Sequence, residues 1–230
     1  MKHQPFSSPN RFIVAFLAFV FSLSCLAHAQ EVKRPAGDIF TVMAAKKRKT
    51  QTINNAKQIF YLLVDFDQEY GAYPSDATAK EDPKFAGFTG KYSNDYFGQF
   101  FAGGFTKSEQ IFYAAGGSKT KKKPDNLIAN KKQILSAGEC GFTYIKGLST
   151  ASDTRLPLLC APMTGKGTQF DPKPYNGVAI VLFCDGSVQA LEIDKNGEAR
   201  RRDGTKLFSN GVRSPWAKIK FKQDRLAFPK

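Results

Sequence analysis

Residues 178–193 read VAIVLFCDGSVQALEI: seven apolar residues, an Asp-Gly pair, then an uneven alternation. Asp and Gly both tolerate the positive φ angles of a two-residue type I′ turn, so this dipeptide between apolar runs predicts a β-hairpin turning at Asp185 and Gly186. The first arm, Val178 to Cys184, is apolar on both faces, as a strand covered on each side requires. The second sets Gln189 and Glu192 among Val188, Leu191 and Ile193, with fewer residues suited to burial. Asp185 reads as a turn residue first, since turn chemistry alone accounts for it, with a catalytic carboxylate as the competing reading.

Upstream, residues 50–70 (TQTINNAKQIFYLLVDFDQEY) place Ile53, Ala56, Ile59, Phe60, Leu63, Phe66 and Tyr70 at helical spacing. This predicts an amphipathic helix with one wide stripe facing a core. Gly71 is placed to end it in a left-handed conformation, and Pro74 opposes its resumption. Asp65, Asp67 and Glu69 resemble a paired-acid site, but residues two apart on a helix diverge by about 200°, so they read as a solvated face. Residues 30–49 read as a basic linker or a helix extension, with Asp38 placed to cap a helix beginning IFTVMAAKKRK. Further on, Ser93 or Asn94 is expected to cap a short aromatic helix, SNDYFGQFFAGG, and SEQIFYAA to form a short strand. Residues 116–132 form a basic surface loop, followed by strands at CGFTYI (140–145) and LPLLC (156–160). Asp194-Lys195-Asn196-Gly197 reads as a turn, with part of a calcium loop as the competing reading; the third oxygen ligand and the distant glutamate of an EF-hand are lacking.

The first 29 of 230 residues have the pattern of an export signal. Lys2 and Arg11 precede a 16-residue apolar core, and Ala27 and Ala29 supply the small residues of a signal-peptidase site. Two alternatives remain open: lipidation at Cys25, or retention of the segment as an anchor, although 16 apolar residues fall short of the roughly 20 that usually span a bilayer. Cleavage after Ala29 removes two basic residues and lowers the formal charge from +14 to +12. Residues 50–230 are then expected to form one globular domain.

Both histidines, His3 and His28, lie in the signal. A mature chain without imidazole cannot run a Ser-His-Asp or Cys-His mechanism or hold a histidine-dependent zinc site. No cofactor is expected and no metal ligands are assigned, with calcium binding left open. Cys140, Cys160 and Cys184 are spaced 20 and 24 residues apart, with no C-x-x-C unit. They read as small buried hydrophobes, with a Cys160–Cys184 disulfide as the competing arrangement.

The helix NNAKQIFYLLVDFDQEYGAYPSD, SNDYFGQFF with EQIFYAA, LPLLCAP, the VLFxDG hairpin and the late KLF, SPW and FP pattern occur in an order that resembles type IV pilin-like or pseudopilin-like proteins of planctomycete or verrucomicrobial type. The resemblance spans residue 51 to the C-terminus. Tyr175 stands where related prepilins often carry a histidine, and the prepilin cleavage motif is lacking. The resemblance therefore implies a soluble pilin-like domain of α+β class, one long helix packed on a small antiparallel sheet. It also implies a non-enzymatic role in the envelope, in secretion or in recognition, with envelope or secretion-system proteins as partners. A second reading is a polyanion binder, from the basic runs KKRK, KTKKKP, Arg200 to Arg202 and KIKFK. A third, a carboxylate-dependent secreted hydrolase, lacks a positioned acid pair. Membrane association is expected only through the N-terminal segment, if it is retained or lipidated.

Overall fold

The computed structural model describes residues 36–230, with side chains from residue 39 onward. The export signal, Ala27 and Ala29 of its cleavage site, and Cys25 lie outside the described residues. The chain divides into two units, 1–40 and 41–230, and the second holds the sheet and the core.

Helix α1 (Ala36–Tyr70) is continuous over 35 residues. Residue 50 therefore marks no boundary, and Asp38 lies inside the helix instead of capping it. Ala, Lys and Arg are strong helix formers, so the basic run 46–49 lengthens the helix and does not interrupt it. Ala45, Thr52, Asn55, Ala56, Ile59, Leu63 and Phe66 are buried along one face. Gly71 closes the helix at φ +69°, its N–H donating to the Asp67 carbonyl at 2.7 Å. Asp67 departs from the solvated-face expectation: it is buried, and the Thr150 hydroxyl donates to its carboxylate. One turn on from Leu63, Asp67 falls at the border of the apolar stripe, where the loop after β1 (Thr143–Ile145) covers it. Among the described residues, no helix is long and apolar enough to cross a membrane.

Two shorter helices follow, α2 (Thr78–Glu81) and α3 (Ser93–Ala102). Ser93 and Asn94 occupy the first turn of α3 and do not cap it. Asp95 reaches back to accept from the Tyr92 N–H at 3.2 Å, while Asn94 donates to the Leu135 carbonyl at 2.6 Å and accepts from the Lys230 N–H at 2.9 Å. Phe97 and Phe100 of α3 are fully buried, and Phe66 of α1 meets Phe100 edge-on at 5.6 Å. Truncating a buried phenylalanine in such a cluster typically costs about 3–5 kcal/mol. SEQIFYAA is not a strand: Gln110–Phe112 form a 3-10 turn that carries Phe112 into the same cluster, 5.0 Å from Phe97.

The sheet is antiparallel, in the order β4-β3-β2-β1-β5. Besides β1, its strands are β2 (Pro157–Ala161), β3 (Val178–Phe183), β4 (Val188–Glu192) and β5 (Leu226–Ala227). The first four form a meander, and β5 returns to pair with the free edge of β1. In β3, Ala179 to Phe183 are buried, as expected for an interior strand covered on both faces. Edge strand β4 buries only Leu191. The fold is thus α+β, a long helix with a five-stranded antiparallel sheet.

The hairpin between β3 and β4 forms, but its turn is not the two-residue type I′. Gly186 alone has positive φ, at +80°, and its N–H donates to the Phe183 carbonyl at 3.0 Å while the Phe183 N–H reaches the Ser187 carbonyl at 2.9 Å. This is a three-residue loop, Cys184 to Gly186, in which a type I turn ends on a left-handed glycine. Asp185 holds the loop by accepting from the Ser187 N–H at 2.8 Å. A Cβ on Gly186 would stand 2.6 Å from the Phe60 ring, so the turn sits directly against α1.

The Cys160–Cys184 disulfide does not form; Cys140, Cys160 and Cys184 are free thiols, all buried. Register explains this. Cys160 pairs with Val181, whereas Cys184 lies beside Leu156, its N–H donating to that carbonyl at 3.0 Å. Three residues of extended chain separate the positions by about 10 Å, beyond the reach of a disulfide.

Candidate anion-binding groove

The face of α1 opposite its apolar stripe carries Lys46, Lys47, Thr50, Gln51, Asn54 and Gln58, a continuous polar strip at helical spacing. A second wall stands beside it, built from Gln110, Tyr113 and Lys123. Asn55 ties the two together: its amide donates to the carbonyls of Gln110 at 3.0 Å and Tyr113 at 2.8 Å. Gln110 in turn donates to the Pro124 carbonyl at 2.6 Å, which fixes the neighbouring basic loop. Between the walls lies an open groove of about 1000 Å³.

Its chemistry is one-sided. Among the described residues, three ammonium groups, Lys46, Lys47 and Lys123, line it together with five side-chain amides, Thr50, one tyrosine and Met43, and no carboxylate takes part. All three lysines are exposed. Like charges lining one groove with no acid among its described residues raise the local positive potential, which attracts anions and falls with salt. The amides offer both donors and acceptors, suited to hydroxyl groups.

The structure sorts the basic runs that look alike in sequence. KKRK and KTKKKP meet across the groove through Lys46, Lys47 and Lys123. Arg48 points elsewhere, donating to the Pro174 carbonyl at 3.2 Å. In the arginine triplet, Arg200 pairs with Asp194 at 2.8 Å, and Arg201 lies over the Phe183 ring at 5.5 Å. Those two serve the fold. Lys218, Lys220 and Lys222 are exposed but line no part of the groove.

The other residues marked out by sequence have structural roles. Asp185 and Gly186 make the hairpin turn, and Tyr175 is buried with its hydroxyl 2.9 Å from that of Thr52. Burial pushes the Tyr175 phenol up to about 12, the Cys140 thiol to about 11 and the Cys184 thiol to about 12. None of the three is a ready nucleophile at neutral pH. Asp194 accepts from the Asn196 and Glu198 N–H groups at 2.9 and 3.1 Å, as a turn residue does.

Sequence reasoning missed the amide strip. Its signal was present, since Lys47, Gln51, Asn54 and Gln58 recur at steps of three and four opposite the apolar stripe, but the opposing wall comes from residues more than 50 positions away. Compared with known proteins, the chain matches no family model, no curated protein and no solved structure.

Proposed function

We propose that this chain is a non-enzymatic, pilin-like module, exported to the cell envelope or beyond it, whose helix-side groove holds an acidic polysaccharide. The observation that carries the binding reading is the groove lining: three lysines, five amides and, among the described residues, no carboxylate. The pilin-like reading is supported by the long helix with its antiparallel sheet and by the order of the sequence motifs. It implies an envelope or secretion-system protein as the anchoring partner. A polysaccharide is favoured over a nucleic acid because the amides match sugar hydroxyls, whereas single-strand readers present rows of aromatic platforms.

Heparin chromatography of the mature protein tests this reading. Retention is expected at low salt, with elution shifted to markedly lower salt in the K46A/K47A/K123A variant. Passage of the wild-type protein through heparin without delay at low salt would refute it. Tighter binding to single-stranded DNA than to heparin of equal charge would replace the polysaccharide by a nucleic acid.

A further inference from the structure

Behind the groove wall, three carboxylates come together from separate segments. Glu109 precedes the 3-10 turn, Asp125 lies in the basic loop, and Glu139 stands shortly before β1; one oxygen from each lies within 4.8 Å of the others. Glu109 and Glu139 have no exposed surface. The Leu135 N–H donates to Glu109 Oε1 at 2.6 Å, but Glu109 Oε2 and Glu139 Oε2 are buried without a hydrogen-bond partner. Lys122 Nζ lies 3.0 Å from Glu139 Oε1, close enough for an ion pair though not aligned as a hydrogen bond, and 3.9 Å from Asp125 Oδ2.

One ammonium against three carboxylates leaves a negative excess in a protein that is otherwise strongly basic. Buried, unpaired carboxylate oxygens are costly unless a cation or proton meets them.

We propose that Glu109, Asp125 and Glu139 form a binding site for calcium. The donor set is all oxygen, which suits a hard cation and excludes the thiolate and imidazole chemistry of zinc or copper. Calcium accepts irregular sets of six to eight oxygens and bidentate carboxylates, whereas magnesium demands a near-ideal octahedron. Three carboxylates from three loops, one already tied to the Leu135 N–H, fit the more tolerant ion. Lys122 is half exposed on a long stem, so it withdraws to solvent as the ion enters. Calcium would then clamp the loop carrying Asp125 to the segments of Glu109 and Glu139, steadying Lys123 and Gln110 on the groove wall. The site itself does not depend on what the groove holds.

The test is calorimetric titration of the chelator-treated full chain with CaCl2, paired with thermal melts. Saturable binding of one ion per chain is expected, with a Tm rise of about 2–4 °C at millimolar calcium and a smaller response to MgCl2. D125N alters an exposed residue and should fold; its calcium affinity should fall at least about tenfold. E139Q should abolish the response, and K122M, which removes the competing ammonium, should strengthen binding. Absence of heat and of any Tm change with millimolar calcium would overturn the proposal. So would an unchanged response in D125N, or a K122M variant destabilised equally with and without calcium, the result expected of a plain Lys122–Glu139 ion pair. A magnesium response equal to that of calcium would overturn the choice of ion.

Discussion

Gly186 shows how a single residue joins turn chemistry to packing. Its φ of +80° is one that side-chain-bearing residues reach only at a cost, and a methyl group there would meet the Phe60 ring at 2.6 Å. Gly186→Ala is therefore expected to destabilise the protein by about 2–4 kcal/mol, from left-handed strain and overpacking together, as read by urea unfolding. A loss below about 0.5 kcal/mol would mean that the turn does not bear on the helix. The Asp-Gly pair announced a reversal, but its turn type depends on where Phe183 and Ser187 pair, which the dipeptide alone does not encode. Asp153 offers a second test at this scale. The Arg155 guanidinium donates to its carboxylate at 3.0 and 2.8 Å, and this contact holds the carboxyl down at about 2. Because the folded-state value lies below the unfolded one, the contribution is present above about pH 4 and is lost as pH falls toward 2. The Tm gap between wild type and D153N should be constant at neutral pH and close between pH 4 and 2. A gap independent of pH across that window would contradict the assignment.

At the scale of elements, periodicity was informative wherever one face is buried. The stripe from Ala56 to Phe66 and the apolar run of β3 are both readable because burial selects side chains at fixed spacing. The helix start was not readable: lysine-rich sequence is compatible with both helix and solvated linker, and only the continuous backbone distinguishes them. The reading of the cysteines as small buried hydrophobes holds, but excluding the competing Cys160–Cys184 bridge needs the strand register, which decides which side chains become neighbours. That register yields a further expectation. Cys140, Cys160 and Cys184, buried and unbridged, should resist a disulfide-exchange reagent in the native protein and react only after denaturation, giving three additional thiols. Native titration of these thiols, or only one additional thiol after denaturation, would count against the pairing of Cys160 with Val181.

In the whole molecule, the groove depends on long-range closure. Lys46 and Lys47 announced themselves as part of a charge run, and Lys123 as part of another, yet nothing local says that these two runs meet while the arginine triplet folds back onto Asp194 and Phe183. Charge runs are usually solvated faces, and most of this chain's basic residues are just that. What sets the groove apart is that lysines from two distant segments line it with no acid among the described residues, a property of the tertiary fold. The carboxylates of Glu109, Asp125 and Glu139 were equally silent in sequence, being separated by 14 to 16 residues and brought together only by the loop.

The central claim is that Lys46, Lys47 and Lys123 act as one anion site, and the dependence of affinity on salt measures it most directly. Titration of a labelled heparin oligosaccharide at several salt concentrations gives the slope of log affinity against log salt, which counts the ions released on binding. K46A/K47A/K123A should flatten that slope by about two to three counterions, while K218A/K220A/K222A, with the same loss of charge outside the groove, should leave it nearly unchanged. Equal flattening by the two triple variants would show that binding follows net charge and that the groove is not the site.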